Sequence, residues 1–300
     1  MIRFEHLSKR YGALNAVDDL SFDVHPGKVT GFLGPNGAGK TTTLRIATNL
    51  VRADAGGVTF DDVPYAKLKQ PLRHVGVVLE PVVFHPGRTA IDHLLMLAPY
   101  ARTGRKRCEE VLGLVGMADA AGKRVGKFSL GMRGRLNLAA ALLGDPETLL
   151  LDEPVNGLDP EGIRWMRELL RSLAAQGRTI LISSHLLTEV AQTVDEAIII
   201  AHGKLVYSGT LTDLETPTSG AVVVETSAPS AVVGLAQTRG WKVLSSAYDK
   251  AGTVVIAGPS PNEVAAAVVG AGMPLDGLGM QTSDLESVFL ALTEDERGLR

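Results

Sequence analysis

A glycine-rich loop has the residue types and spacing that bind phosphate. It consists of Gly34, Pro35, Asn36, Gly37, Ala38, Gly39, Lys40, Thr41 and Thr42, and it matches the pattern of a glycine, four residues, a glycine, a lysine and a threonine. Glycines let the backbone curl so that successive N–H groups point inward, and the following helix adds a partial positive charge. Lys40 is placed for the β- and γ-phosphates of a nucleotide, and the Thr41 hydroxyl for Mg²⁺. The alternative is a glycine-rich surface turn before a helix.

Two adjacent carboxylates, Asp152 and Glu153, follow the apolar run at residues 148–151. A buried strand that ends here would carry both carboxylates out beside the glycine-rich loop. In that geometry Asp152 orders the coordination shell of Mg²⁺, and Glu153 polarises the attacking water. On its own, an Asp-Glu pair after a strand is also compatible with an ordinary solvated loop.

A histidine, His185, follows another apolar run, residues 179–183. Ligands of open parallel sheets bind beyond the carboxyl ends of the strands. A histidine at such an end can hydrogen-bond the γ-phosphate and orient the water, so we predict that Lys40, Glu153 and His185 are catalytic. The alternative for His185 is a structural histidine whose hydrogen bonds are satisfied.

The segments that hold these residues have the pattern of a parallel sheet with crossover helices, because short apolar runs alternate with amphipathic segments of helix length. The candidate strands are residues 29–33, 75–79, 148–152, 179–183 and 197–201, and the segment 162–175 is an amphipathic helix that packs on the sheet. Residues 2–6 and 20–24 are predicted to be antiparallel strands of a small flanking sheet.

The rest of the chain differs from this pattern. Residues 89–143 are mostly helical and interrupted by glycines, and residues 216–220 have the composition of a linker. Beyond the linker we predict strands at 221–226, 241–245 and 253–257, helices at 230–239 and 262–271, and a final helix that Ser283 and Glu286 cap.

These elements predict an α/β fold. Its core is a P-loop NTPase domain with a mostly parallel sheet, a flanking antiparallel β-subdomain and an inserted helical subdomain. A small α+β C-terminal domain follows. The predicted bounds are residues 1–215 for the core domain, about 86–145 for the helical subdomain, 216–220 for the linker and 221–300 for the accessory domain.

The composition of the 300 residues argues against several classes of function. Thirty basic and 33 acidic residues give a net charge of −3, so no nucleic-acid partner is expected. Cys108 is the single cysteine, which argues against a disulfide framework. Residues 1–9 lack the apolar run of a signal peptide, and no stretch approaches the ~20 apolar residues that cross a bilayer. Membrane spans are therefore expected to come from another polypeptide.

In this order the motifs resemble the ATP-binding cassette (ABC) family, through about residue 214. Tyr11 lies where the family has an aromatic residue that stacks on adenine. Residues 128–132, Phe-Ser-Leu-Gly-Met, lie at the family's signature sequence, usually LSGGQ; Ser129 and Gly131 match, and the other three positions depart.

Two more family features are matched, and a third is changed. The segment Asn-Gly-Leu-Asp that ends at Asp159 resembles the D-loop, and His185 has the position of the switch histidine. The family usually has a glutamine that touches Mg²⁺ at the end of the strand before its helical subdomain, and here that position is Glu80. Because a carboxylate can also bind Mg²⁺, the predicted metal ligands are Thr41, Asp152 and Glu80.

The resemblance implies an ATP-dependent homodimer. In the family, two cassettes face each other head to tail, and each ATP lies between the phosphate loop of one and the signature segment of the other. Ser129, Gly131 and Asp159 are thereby predicted to bind ATP, with Ser129 at a helix N-terminus that faces the γ-phosphate. Ser129 as a simple helix N-cap is the alternative, and both roles are compatible. A heterodimer with a second cassette is the alternative assembly.

Residues 80–89 and 284–293 resemble the ATPases of bacterial drug and peptide-antibiotic exporters. The implied function is ATP hydrolysis that powers multidrug or antibiotic export through a separate multi-span permease, with the chain peripheral on the cytoplasmic face of the cell membrane. The alternative is a soluble ABC ATPase that acts on the ribosome or DNA, against which the near-neutral charge argues. A regulatory nucleotide-binding module and a P-loop kinase are further alternatives; the intact catalytic set argues against the first and the signature segment against the second.

Overall fold

A computed structural model describes residues 1–79, 83–214, 221–244, 252–280, 289 and 292–293, and of residues 188 and 189 only the backbone. The chain divides into two units, Met1–Leu211 with Phe289–Arg300, and Thr212–Val288. In chain order the elements before the boundary are β1 (Ile2–Tyr11), β2 (Leu14–Val24), β3 (Val29–Leu33), α1 (Lys40–Ala47), β4 (Ala55–Phe60), β5 (Val63–Pro64), α2 (Pro71–His74), β6 (Val75–Val78), α3 (Ala90–Leu97), α4 (Arg105–Leu114), α5 (Leu130–Ala141), β7 (Thr148–Leu151), α6 (Pro160–Ala175), β8 (Thr179–Ser184), α7 (Leu187–Val190), β9 (Glu196–Ala201) and β10 (Lys204–Thr210).

The apolar runs of the first unit form a six-stranded sheet in the order β10-β9-β3-β8-β7-β6. The strands from β9 to β6 are parallel to their neighbours, and β10 is antiparallel at the edge. Every residue of β3, β7 and β8 is buried, as parallel strands covered on both faces require. The five predicted strands are present, each within one residue of its predicted bounds, whereas β10 was not predicted. Because the parallel strands end at one edge, the segments after β3, β7 and β8 meet there.

A second, antiparallel sheet in the order β2-β1-β4-β5 flanks the first. Strands β1 and β2 pair as predicted but extend further, with register shifts along the pair, while β4 and β5 were not predicted. The Phe22 ring stacks on Phe4 at 4.2 Å between centroids and lies 5.4 Å from Phe32 of β3. These rings join the flanking sheet to the strand that leads into the glycine-rich loop.

Helices α3, α4 and α5 occupy the stretch that was predicted to be helical. The Thr89 hydroxyl caps α3 by accepting the Asp92 N–H at 3.2 Å, and the Ser129 hydroxyl caps α5 by accepting the Met132 N–H at 3.2 Å. One face of α4 is buried through Cys108, Val111 and Leu112.

Beyond β10, a short helix α8 (Leu211–Leu214) crosses the boundary between the units. The second unit then contains β11 (Val222–Glu225), α9 (Pro229–Thr238), β12 (Lys242–Leu244), β13 (Thr253–Ala257), α10 (Pro261–Gly270) and β14 (Gly277–Met280). The antiparallel sheet has the order β12-β13-β11-β14, which is the ferredoxin-like βαββαβ arrangement. Strand β14 was not predicted. The predicted linker and the helix that Ser283 and Glu286 cap lie outside the described residues.

Candidate nucleotide-binding site

The glycine-rich loop joins β3 to α1. Gly39 immediately precedes the helix and has a φ of +108°, a left-handed conformation, and a Cβ atom there would lie 2.2 Å from the Ala16 carbonyl oxygen. Only glycine fits this position. The Gly39 carbonyl accepts the Thr43 N–H at 2.9 Å, and the first turn of α1 has no acidic residue. The positive end of the helix is therefore available to an anion.

Lys40 is the first residue of α1, and its side chain is 6% exposed. Its Nζ donates to the carbonyl oxygens of Gly34 at 2.7 Å and Pro35 at 3.3 Å, and it lies 3.7 Å from Glu153 Oε1. Burial lowers the pKa of the Lys40 ammonium below its usual value, against the opposing effect of the carboxylates of Glu153 and Asp152. An incoming polyanion would relieve this penalty, because negative charge favours the protonated amine.

Asp152 lies at the end of β7 and is 2% exposed. Its Oδ2 accepts the Thr41 hydroxyl at 2.9 Å, and its Oδ1 accepts the Ser183 hydroxyl at 2.6 Å. The same Ser183 oxygen accepts the Glu153 N–H at 2.9 Å. Sequence reasoning missed Ser183. Its signal lies in the register, since Leu151 pairs with Ile182 and the next residues along the two strands are Asp152 and Ser183.

Glu153 connects the lysine to the histidine. Its Oε2 lies 2.9 Å from His185 Nδ1, and its Oε1 faces Lys40. The Glu153 side chain is 13% exposed and that of His185 31%. Glu153 has a φ of +49°, a conformation that costs a non-glycine residue about 1–3 kcal/mol and that is concentrated at functional sites. Residues that are 32 positions apart in the chain thus form one polar cluster.

This cluster lines a cavity of about 490 Å³. Of the predicted residues, Tyr11, Asn36, Gly37, Gly39, Lys40, Thr41, Thr42, Glu153 and His185 line it, together with Leu14, Ala16 and Asn156, which were not predicted as site residues. Tyr11 is 48% exposed, so an aromatic ring is available to a ligand. The lining of the cavity thus combines a carboxylate, a buried amine and an imidazole with residues of the glycine-rich loop and an exposed tyrosine.

Known proteins are similar to this chain. The family profile described as ABC transporter matches residues 17–156. The bacitracin transport ATP-binding protein BcrA of Bacillus licheniformis is 45% identical over 208 residues, which are 68% of this chain and 68% of that protein. This chain belongs to the ABC transporter family of ATP-binding proteins.

Two further comparisons extend the likeness. The uncharacterized ABC transporter ATP-binding protein YdbJ of Bacillus subtilis (strain 168) is 32% identical over 298 residues, 98% of this chain and 95% of that protein. A solved structure described as an ATP-binding subunit of an ABC transporter is 27% identical with a TM-score of 0.65, over 72% of this chain and 92% of that one. The predicted ABC family, fold class and ATPase class are confirmed. The roles of the individual site residues stay predictions.

Three residues predicted from the ABC resemblance do not line the cavity. Ser129 and Gly131 lie at the start of α5, and Asp159 caps α6 by accepting the Gly162 N–H at 2.8 Å. The D-loop and the signature segment contact each other instead, since Gly131 and Gly157 pack against the side chains of Leu158 and Leu130. Ser129 and Gly131 are therefore not part of the lining of the cavity beside the glycine-rich loop.

The remaining predicted site residues have supporting positions. The carbonyl oxygens of Gly34 and Pro35 accept hydrogen bonds from Lys40. Ala38 is buried, and Asp152 accepts the Thr41 hydroxyl. Glu80, the predicted metal ligand, lies outside the described residues. Within the described ranges of this ABC subunit, no helix combines the length and the apolar character that crossing a membrane requires.

Proposed function

We propose that this ABC subunit is the ATP-hydrolysing motor of an exporter for drugs or peptide antibiotics. It would act on the cytoplasmic face of the cell membrane through a separate multi-span permease. The relative named for bacitracin transport supports this cargo class. The observation that carries the motor role is the contact of Glu153 with both Lys40 and His185 at the cavity.

Each residue of the polar cluster has one part in hydrolysis. The loop N–H groups and the Lys40 ammonium bind the β- and γ-phosphates of ATP, and Lys40 exchanges its loop carbonyls for phosphate oxygens as it does so. Glu153 accepts a hydrogen bond from the attacking water and orients it. Its contact with His185 Nδ1 leaves Nε2 as the ring nitrogen for the γ-phosphate. Tyr11 stacks on the adenine.

The oxygen donors near the phosphate loop fit Mg²⁺. The Thr41 hydroxyl and the Asp152 carboxylate are 2.9 Å apart, and both are hard oxygen ligands. Mg²⁺ is usually bound through one or two carboxylates, with phosphate oxygens and water as further ligands. When bound, the ion neutralises charge on the transferring phosphate. We propose Thr41 and Asp152 as its protein ligands, and Glu80 as a third.

The site is proposed to be complete only in an ATP-dependent homodimer. Ser129 and Gly131 do not line the cavity of their own chain, yet the first turn of α5 has no acidic residue and offers N–H groups to an anion. A second copy would bring this turn to the γ-phosphate. A second cassette of different sequence could do the same, and mixing tagged and untagged chains separates the two assemblies.

Replacing the proposed water-orienting carboxylate tests the motor role. We expect Glu153→Gln to bind ATP, to lose at least a hundredfold in kcat and to accumulate as an ATP-bound dimer, because the neutral amide keeps the shape but is a far weaker base. Glu168→Gln is the matched control, since Glu168 is 70% exposed and pairs only with Arg164 on the same helix among the described contacts. Normal turnover of Glu153→Gln would contradict the assignment.

The membrane role needs a separate experiment. We would solubilise membranes that contain the tagged chain in mild detergent and identify stoichiometric co-purifying proteins by mass spectrometry. A multi-span protein is the expected result. Recovery of ribosomal proteins or nucleic acid alone, with ATPase activity intact, would replace the exporter by a soluble ABC ATPase.

A further inference from the structure

An arginine on α5 stacks on a tryptophan of α6. The Arg135 guanidinium carbon lies 4.1 Å from the centroid of the Trp165 ring, and both side chains are partly buried. Arg135 also donates from Nη1 to the Val115 carbonyl oxygen at 3.3 Å, at the end of α4. One side chain therefore ties three helices together.

The position of the stack relates it to the two helix N-termini. Arg135 lies six positions after Ser129, the cap of α5, and Trp165 lies six positions after Asp159, the cap of α6. Six residues of α-helix span about 9 Å. The stack thus links α5 and α6 at the same distance from the start of each helix.

The starts of the two helices are also in contact. A Cβ atom on Gly157 would lie 2.1 Å from Leu130 Cδ2, so the Leu130 side chain rests directly on the D-loop backbone. With one contact at the helix starts and a second at the stack, α5 cannot turn relative to α6 without breaking one of the two. The signature segment and the D-loop consequently share one orientation.

We infer that Arg135 and Trp165 are positioning residues that hold the signature helix and the D-loop helix as one unit, in the orientation that a second copy's ATP engages. The inference rests on the proposed dimeric function. Neither residue lines the nucleotide cavity, so neither acts on the phosphates of its own subunit. Loss of the stack therefore weakens the engagement between copies and leaves nucleotide binding to one subunit unchanged.

The expected effect follows from the strength of a partly desolvated cation–π pair, which corresponds to about a three- to tenfold change in an equilibrium constant. We expect Trp165→Leu and Arg135→Gln each to raise the KM for ATP and the dissociation constant of the ATP-bound dimer by this factor, the latter measured in the Glu153→Gln background. The double variant should be no worse than Arg135→Gln, since that single variant already removes both the stack and the bond to Val115. ADP affinity, which reports on the single subunit, should stay unchanged, and Trp165→Phe should recover part of the loss.

A second stack supplies the matched control. Arg239 lies 5.5 Å from the Trp241 ring centroid in the second unit, and Arg239→Gln should leave KM and the dimer constant unchanged. Stack variants that behave like Arg239→Gln, or that lose ADP affinity in parallel, would overturn the positioning role. Failure of the Glu153→Gln parent itself to dimerise with ATP would instead refute the proposed dimeric function.

Discussion

Ser183→Ala is the substitution that best tests the geometry of the site. The Ser183 hydroxyl is fully buried, donates to the Asp152 carboxylate at 2.6 Å and accepts the Glu153 N–H at 2.9 Å. Its removal leaves a buried carboxylate oxygen and a buried N–H without this partner. A hydrogen bond to a charged group contributes about 1.5–3 kcal/mol, and an unsatisfied buried group costs about 1–3 kcal/mol. With partial relaxation, we expect a loss of about 2–4 kcal/mol in unfolding free energy.

The neighbouring serine is a matched control. Ser184 is also fully buried, but its hydroxyl bonds only neutral backbone groups of Leu186 in the described contacts, at 3.1 and 3.2 Å. Ser184→Ala should cost about 0.5–1.5 kcal/mol. The chain has two tryptophans, so in a Trp241→Phe background the fluorescence of Trp165 reports on the first unit during urea unfolding. In thermal scans, the unfolding midpoint of Ser183→Ala should lie about 4–8 °C below that of Ser184→Ala.

Turnover should separate the two serines further. Ser183 holds the backbone of Glu153 and the carboxylate of Asp152, so we expect Ser183→Ala to lower kcat by at least tenfold, or about 1.4 kcal/mol in activation free energy. Ser184→Ala should stay within about twofold of wild type. Equal stability losses for the two variants, with kcat unchanged in both, would refute the reasoning that the Ser183 hydroxyl orders the carboxylates.

Two further substitutions probe the phosphate loop. Lys40→Met should abolish nucleotide binding yet raise the unfolding free energy at pH 7, because burial lowers the pKa of the Lys40 ammonium. Between that lowered pKa and the unfolded value of 10.5, the unfolded wild-type chain binds more protons than the folded one, so the stability of the wild type rises with pH. The difference in unfolding free energy between Lys40→Met and the wild type should therefore shrink. Urea titrations at pH 7 and pH 10 measure this difference, and a constant value would contradict the prediction. Gly39→Ala should cost about 3 kcal/mol or more and eliminate ADP binding, because its Cβ would meet the Ala16 carbonyl. Gly37→Ala, with nothing within 4 Å of its Cβ, should cost only the backbone strain of about 1–2 kcal/mol. Thermal unfolding and ADP-binding assays compare the two variants, and equal losses of stability and of ADP affinity would argue against the clash at Gly39.

Three of the predicted strands differ in composition from two of the strands that were missed. Strands β3, β7 and β8 are continuous apolar runs that are buried along their whole length, and such runs stand out in a sequence. Strands β4 and β14 contain adjacent or alternating glycines, Ala-Gly-Gly-Val-Thr-Phe and Gly-Leu-Gly-Met. Glycine has low strand propensity, so their extended conformation depends on pairing with β1 and β11. That pairing is not visible in a local pattern.

The sequence by itself determined the phosphate loop, the carboxylate pair, the family and the order of the core strands along the chain, because each depends on residue types at short, fixed spacing. Only the tertiary structure decided which side chains meet. It placed Ser183 against Asp152, put Glu153 between Lys40 and His185, and joined α5 to α6 through Arg135 and Trp165. The physical reason is that these contacts follow from strand register and helix packing, which are set by the burial of the whole core rather than by neighbours in the chain.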